Sequence, residues 1–345
     1  MGSILAMIWQ VFDMLSTKIK LSKQMLFLAR NQSAFKRPMR NLPSDYLIFI
    51  GYYGPYFRGL QIQTKEFHDD TIQNFLIYAL GNKPKTMGFA GRTDIGVNAA
   101  VNVVLVKQLS IEKSYFKKIN CRLPKGLFVH SAVKLPDDFF SSFDYSQLFI
   151  ERSYIYTFPS TRTESTVEME TFLNRIKGVP LDYRNLCKWD LQKLKQDPGF
   201  PGKMFTKTIK INSKIDRCEK TRNIQLNVSQ KGFLQHQIRY LVTVLKQILY
   251  KHKEADAAFN QVFDGITNDS KKLNLLASDG TSLLKRLPKF SNEVIGKALE
   301  GEIIEIDNPY LEKELKTAEH DLDFFESVVT ECSFNHSRLR PLKYP

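Results

Sequence analysis

The chain has 345 residues, of which 43% are hydrophobic, and 50 Lys and Arg face 36 Asp and Glu, giving a net charge of +14. That length and apolar content suffice for two buried cores. Four cysteines (Cys121, Cys187, Cys218, Cys332) with no C-x-x-C pair, and six scattered histidines, argue against a disulfide framework or a structural zinc site and fit a reducing compartment.

The charge is uneven. Residues 291–345 carry 12 acidic and 6 basic side chains, which leaves 44 basic against 24 acidic in residues 1–290. A body this basic has two readings: a surface for a polyanion such as nucleic acid, or a lysine-rich surface that serves solubility. Residues 1–40 hold seven basic residues and one acid, Asp13, and open on the apolar run "ILAMIWQVF". The run is too short to span a bilayer, and the basic residues follow it, the reverse of a secretory signal. Residues 1–45 therefore read either as a mitochondrial transit segment or as a basic extension that touches RNA.

Further along, "DYLIFIGYYG" (45–54) is a β-rich run ending in a glycine turn. In "TIQNFLIYALG" (71–81), Ile72, Phe75, Leu76 and Ala79 fall at i, i+3, i+4 and i+7. This predicts a short helix stopped by Gly81. "GFAGRTDIGVNAA" (88–100) is a tight turn, and "AAVNVVLV" (99–106) is a strand. "RSYIYTF" (152–158) alternates Arg152, Tyr154, Tyr156 and Phe158 against Ser153, Ile155 and Thr157. Such an aromatic face serves either sheet packing or base stacking. Residues 159–221 are polar, with Gly and Pro at "DPGFPGK", and read as connecting structure. "RNIQLNVS" (222–229) is an alternating strand leading into a helix over 231–250, with Leu234, Ile238, Leu241, Leu245 and Ile248 as its apolar stripe. Arg239 beside that stripe needs an acceptor or a path to solvent. The acidic tail suggests one helix, 310–329. Strands and helices in this order predict an α+β protein, its sheet covered on one side.

The turn at 91–96 holds one cation, Arg92, and one carboxylate, Asp94, between Gly91 and Gly96. The glycines permit a tight bend and close approach of another backbone. By itself R-T-D-x-G reads either as a turn in which Asp94 caps its own backbone or as a functional carboxylate held by a cation. A Gly-rich phosphate loop with Lys-Ser/Thr, G-x-S-x-G, H-E-x-x-H and a dinucleotide fingerprint are all missing, which argues against nucleotide hydrolysis, serine-esterase chemistry and redox chemistry.

"AGRTDIGV" resembles the motif that carries the catalytic aspartate in the TruA family of tRNA pseudouridine synthases, here its eukaryotic, pseudouridine synthase-like branch. Other segments are similar to that family in the same order: "YYGPYFRGLQIQ" (52–63), "TIQ" (71–73), "INCRLPKGLFV" (119–129), "RSYIY" (152–156) and "GFLQHQIRYLVTVL" (232–245). The resemblance covers roughly residues 46–290.

It implies an α+β fold of two sheet-bearing halves, 46–145 and 146–290, with mostly antiparallel strands, helices on one face and a basic cleft between the halves. A basic leader (1–45) and an acidic tail (291–345) flank them. It implies isomerisation of uridine to pseudouridine in tRNA with Asp94 as catalytic residue. Arg92 would assist entry of the flipped nucleotide, Tyr154 would stack on the uracil, and Arg239 would pair with Asp94 and keep it ionised. The chemistry agrees: the uracil must leave the stack, rotate and rejoin through carbon, which asks for an aromatic shelf and one anchored carboxylate. No metal or organic cofactor is implied. The expected partner is RNA, chiefly tRNA, with no membrane, acting as monomer or homodimer. The expected compartment is mitochondrial, with cytoplasm or nucleus as alternatives.

Several positions depart from the family pattern. Asn98 stands where His is common, Ser141, Ser142 and Phe143 where an Arg usually follows, and Thr243 where the helix often has Gly. "GVPLDYRNL" (178–186) and "DGTSLL" (279–284) match weakly. The rival reading is a non-catalytic RNA-binding protein or RNA chaperone derived from the same fold.

Overall fold

The computed structural model describes residues 42–62, 70–81, 84–143, 148–160, 166–188, 205–217, 222–251, 253–264, 273 and 275–306. The leader and the helix expected over 310–329 lie outside these residues. In chain order the elements are β1 (Ser44–Tyr52), α1 (Ile72–Leu80), β2 (Thr86–Phe89), β3 (Asn98–Leu109), α2 (Lys113–Lys117), β4 (Leu127–Lys134), α3 (Phe139–Ser142) and β5 (Phe149–Ser160). Then come α4 (Val167–Ile176), β6 (Pro180–Asp182), β7 (Thr206–Thr208), β8 (Lys210–Arg217), β9 (Arg222–Gln230), α5 (Gln237–Lys251) and α6 (Ala255–Phe263). The last are β10 (Leu283–Lys285), β11 (Lys289–Phe290), α7 (Asn292–Leu299) and β12 (Glu302–Glu305). The class is α+β with antiparallel strand pairs, as the order of elements predicts.

The chain divides into two compact units, one of residues up to Leu148 together with those from Ser291 onward, the other Phe149–Phe290. In the first unit, β1 lies between β3 and β4, with β12 on the far side of β4 and β2 paired with β3. Alternate β1 residues Tyr46, Ile48, Ile50 and Tyr52 share a core with Ile72, Phe75, Leu76, Ala79 and Leu80 of α1. The i, i+3, i+4, i+7 pattern is thus the buried face of that helix. Thr71 caps its start by accepting from the Asn74 N–H, and Gly81 ends it at φ 71°, a left-handed conformation that glycine adopts freely. Beyond the second unit, α7 and β12 complete this sheet edge. Ser291 caps α7 through the Val294 N–H, and Ile304 of β12 is buried in the core.

In the second unit the strand order is β10-β5-β9-β8, with β11 also on β5. Tyr154, Tyr156 and Phe158 are the buried residues of β5's central run, with Arg152 only partly covered. α5 buries Ile238, Leu241, Leu245 and Ile248. It begins only at Gln237, so Leu234 belongs to the preceding loop and not to the helix stripe. The reason is local: His236 sits at φ 61°, which interrupts helical backbone. Residues 159–221 are more than connecting structure. Met169, Phe172, Leu173 and Ile176 make α4 an amphipathic helix, and β8 pairs along its length with β9. The apolar spacing in α4 was present in the sequence, masked by a mean composition rich in polar residues. Among the described residues no helix is long and apolar enough to cross a membrane.

Candidate active site

The turn carrying Asp94 is built by the first unit alone. Its bend closes through the backbone, the Val97 N–H donating to the Asp94 carbonyl at 3.2 Å. Gly96 occupies the third position at φ 82°, the positive value a type II turn requires. Asp94 is half-buried, whereas Arg92 and Ile95 point to solvent and Thr93 is buried.

Three buried polar side chains tie this turn to the sheet. Tyr52 is the last residue of β1, Asn102 lies on β3, and Thr93 immediately precedes Asp94. The Tyr52 hydroxyl is 2.8 Å from Thr93 Oγ1 and accepts from Asn102 Nδ2 at 3.2 Å. The same Asn102 amide donates to the Gly91 carbonyl at 3.0 Å, fixing the near end of the turn. Burial raises the Tyr52 phenol far above its ordinary range, so it stays a neutral hydroxyl. On the far side, the Asn98 side chain accepts from the Gly54 N–H at 2.8 Å. A Cβ on Gly54 would meet the Val97 carbonyl oxygen at 2.2 Å, so only glycine lets the two loops touch. Asn98, a departure from the family pattern, thus has a structural task here. Tyr52 and Asn102 were not singled out by sequence; both lie within apolar strand runs, and a lone polar residue in such a run is the signal that could have marked Asn102.

The second unit carries Tyr154 and Arg239. Tyr154 is central in β5, opposite Val228 of β9 and Lys285 of β10. It is buried, 7% exposed, and the Phe233 ring meets it edge-on with centroids 5.1 Å apart. The loop bearing Phe233 is braced by Gln237, whose Oε1 accepts from the Leu234 N–H and from Gln230 Nε2, each at 2.9 Å.

Arg239 lies in the first turn of α5 and makes a reciprocal contact with Ser278. Its Nε donates to the Ser278 carbonyl at 2.6 Å, and the Ser278 N–H donates to the Arg239 carbonyl at 3.2 Å. That answers the need for an acceptor that its position in the sequence raised. Thr243, where the family often has Gly, donates to the Leu276 carbonyl at 2.6 Å and lies 2.9 Å from Ser278 Oγ. The hydroxyl therefore ties α5 to the segment that receives Arg239. Burial opposes ionisation of the neighbouring Asp279, yet hydrogen bonds from Thr281 and the Arg239 charge hold its carboxyl below the usual range. Among the described residues no three His, Cys, Asp or Glu side chains gather as a metal site would need.

Asp94 thus stands on an anchored turn of the first unit, and Tyr154 and Arg239 on a strand and a helix of the second. No protein-family model matches the chain. Curated proteins do. It is 26% identical over 168 residues to a probable tRNA pseudouridine synthase of Caenorhabditis elegans, an alignment covering 49% of this chain and 40% of that protein. It is 28% identical over 222 residues to tRNA pseudouridine synthase A of Leptospira biflexa, covering 59% of this chain and 79% of that one. It is 26% identical over 206 residues to the archaeal tRNA pseudouridine synthase A of Methanosarcina barkeri, covering 58% and 68%. By these similarities, spread over eukaryotic, bacterial and archaeal proteins, the chain is related to the TruA-type tRNA pseudouridine synthases.

Proposed function

We propose that this protein is a tRNA pseudouridine synthase, an isomerase that breaks the N-glycosidic bond of a uridine in tRNA and rejoins the base through C5. The observation that carries the reading is the Asp94 turn: an A-G-R-T-D-x-G-V motif whose flanking residues Gly91, Thr93 and Asn98 are anchored by buried hydrogen bonds on either side of Asp94. Catalysis without a redox or metal step rests on such placement.

In this reading Asp94 initiates cleavage of the glycosidic bond and Arg92, exposed on the same turn, meets the RNA backbone as the nucleotide enters. Tyr154 supplies the surface on which the uracil stacks. Arg239 pairs with the Asp94 carboxylate and keeps it ionised, with its orientation set in advance by Ser278. The body's excess of 44 basic over 24 acidic residues in 1–290 supports a polyanionic substrate. RNA is the proposed partner, the working unit a monomer or homodimer, and residues 1–45 a mitochondrial transit segment, which a reporter fusion tests by its import.

The deciding experiment compares wild type with Asp94→Asn on unmodified tRNA transcripts, with pseudouridine read by carbodiimide adduct and primer extension. Wild type forms pseudouridine, and Asp94→Asn loses on the order of a thousandfold or more in rate while binding RNA as before. Equal modification by the two proteins would overturn the reading.

A further inference from the structure

One buried cation has no part in the site as described so far. β10 pairs with β5 so that Lys285 stands directly opposite Tyr154, and the Lys285 amine lies 5.2 Å from the centre of the Tyr154 ring. The side chain is wholly buried, and among the described residues its Nζ meets no hydrogen-bond acceptor. A buried ammonium with three donors and no acceptor is unfavourable in the free protein, and an acceptor oxygen that a ligand brings to it would satisfy them. Burial, then the nearby Arg152 charge, pushes the amine down to about 7, so it is poised between neutral and charged. The end of β9 and the start of α5, which flank the loop that brings Phe233 onto Tyr154, hold two more buried polar atoms without partners among the described residues, Gln230 Oε1 and Gln237 Nε2. Uracil presents the complement of such a set: acceptor oxygens O2 and O4 flanking the N3–H donor.

We propose that Lys285 contacts the target base, its Nζ donating to a carbonyl oxygen of the uracil stacked on Tyr154. The inference rests on the reaction proposed above and adds a residue to it. As the bond between C1′ and N1 breaks, its electron pair stays with the uracil, and the negative charge spreads onto O2 and O4. The pair is restored to the sugar when C5 bonds to C1′; C5 then loses a proton and N1 gains one, so the product is an isomer of the reactant. An ammonium hydrogen-bonded to a carbonyl oxygen favours the charged stage over the ground state, because it acts in a site already cleared of water. Lys285 itself forms no bond to the substrate and transfers no proton. Its contribution therefore appears in kcat more than in KM.

The test uses the full chain as wild type, Asp94→Asn, Lys285→Met and Lys285→Gln, with kcat and KM measured separately on unmodified tRNA transcripts, RNA affinity by filter binding, and melting temperature. Lys285→Met keeps the length without charge or donor, whereas Lys285→Gln keeps a donor without charge. The expected result is a folded Lys285→Met protein whose kcat falls roughly tenfold or more, with RNA affinity within about twofold of wild type. Lys285→Gln should fall between the two. If either variant folds and turns over at the wild-type rate, the role of Lys285 is overturned and the isomerase stands. If wild type and Asp94→Asn both leave uridine unchanged, the isomerase reading fails, and the base contact fails with it.

Discussion

Tyr52 and Thr93, 41 residues apart in sequence, share a buried hydrogen bond of 2.8 Å between their hydroxyls. Through it the end of β1 grips the residue before Asp94, and Asn102 on β3 grips Gly91 from the other strand. The turn that carries Asp94 is thus anchored to the sheet. Tyr52→Phe removes the shared hydroxyl and strands Thr93 Oγ1 and one bond of Asn102 in the core. The expected cost is about 1–3 kcal/mol of stability. Modification rate should drop further than RNA affinity does, because the affected turn carries Asp94. Denaturant melts and single-turnover pseudouridine assays check the two parts.

Gly54→Ala should be more damaging than its single methyl suggests. The new Cβ would stand 2.2 Å from the Val97 carbonyl oxygen, a backbone atom that can move only by shifting the turn. Loss of the bond from the Gly54 N–H to Asn98 follows from that shift. A destabilisation of roughly 1–3 kcal/mol is expected, together with loss of modification in whatever fraction stays folded. Asn98→Ala, which removes the acceptor but keeps the space, should show the milder form of both effects.

Arg239→Lys separates charge from geometry. Lysine keeps the cation but loses the Nε–H that donates to the Ser278 carbonyl at 2.6 Å. A residue whose work is only charge would tolerate the change. Here the rate should fall by about tenfold or more, because the orientation set by Ser278 is lost. RNA affinity at several salt concentrations should keep its slope, which sets this effect apart from loss of a phosphate contact.

Lys285 makes stability depend on pH in a stated direction. Burial, then the nearby Arg152 charge, pushes its amine from the ordinary 10.5 of the unfolded chain down to about 7 in the folded protein. Between those values the unfolded state binds more protons, so this residue's contribution to stability rises with pH across that window. Below about 7 both states are protonated and the cost of the buried charge is present in full. Lys285→Met carries no such cost. It should melt higher than wild type below pH 7, by about 5 °C or more, and the gap should close toward pH 10. Calorimetry of both proteins from pH 6 to 10 reads this directly.

The short-range features were legible from sequence. Thr71 and Gly81 bound α1 because capping and left-handed backbone are local demands of particular residue types. The alternation in β5 placed Tyr154, Tyr156 and Phe158 on one buried face, because strand geometry has period two. The A-G-R-T-D-x-G-V run marked Asp94 as a candidate through its resemblance to the TruA motif, since by spacing alone it reads equally as a turn that caps its own backbone. Less legible were α4, whose four apolar contacts sit in polar sequence, and the start of α5, decided by the left-handed backbone at His236.

What the tertiary structure alone decided are the partners that lie far apart in the chain. Nothing near Thr93 announces Tyr52 or Asn102, and nothing near Arg239 announces the Ser278 carbonyl, 39 residues on. Lys285 in "SLLKRL" reads as one more basic residue in a basic chain, until the register of β10 on β5 sets it opposite Tyr154 and buries its amine. Residue type and spacing determine local backbone and name the groups able to do chemistry. Which of those groups lose water, and which acceptors they then meet, depends on strand register and helix packing across long separations.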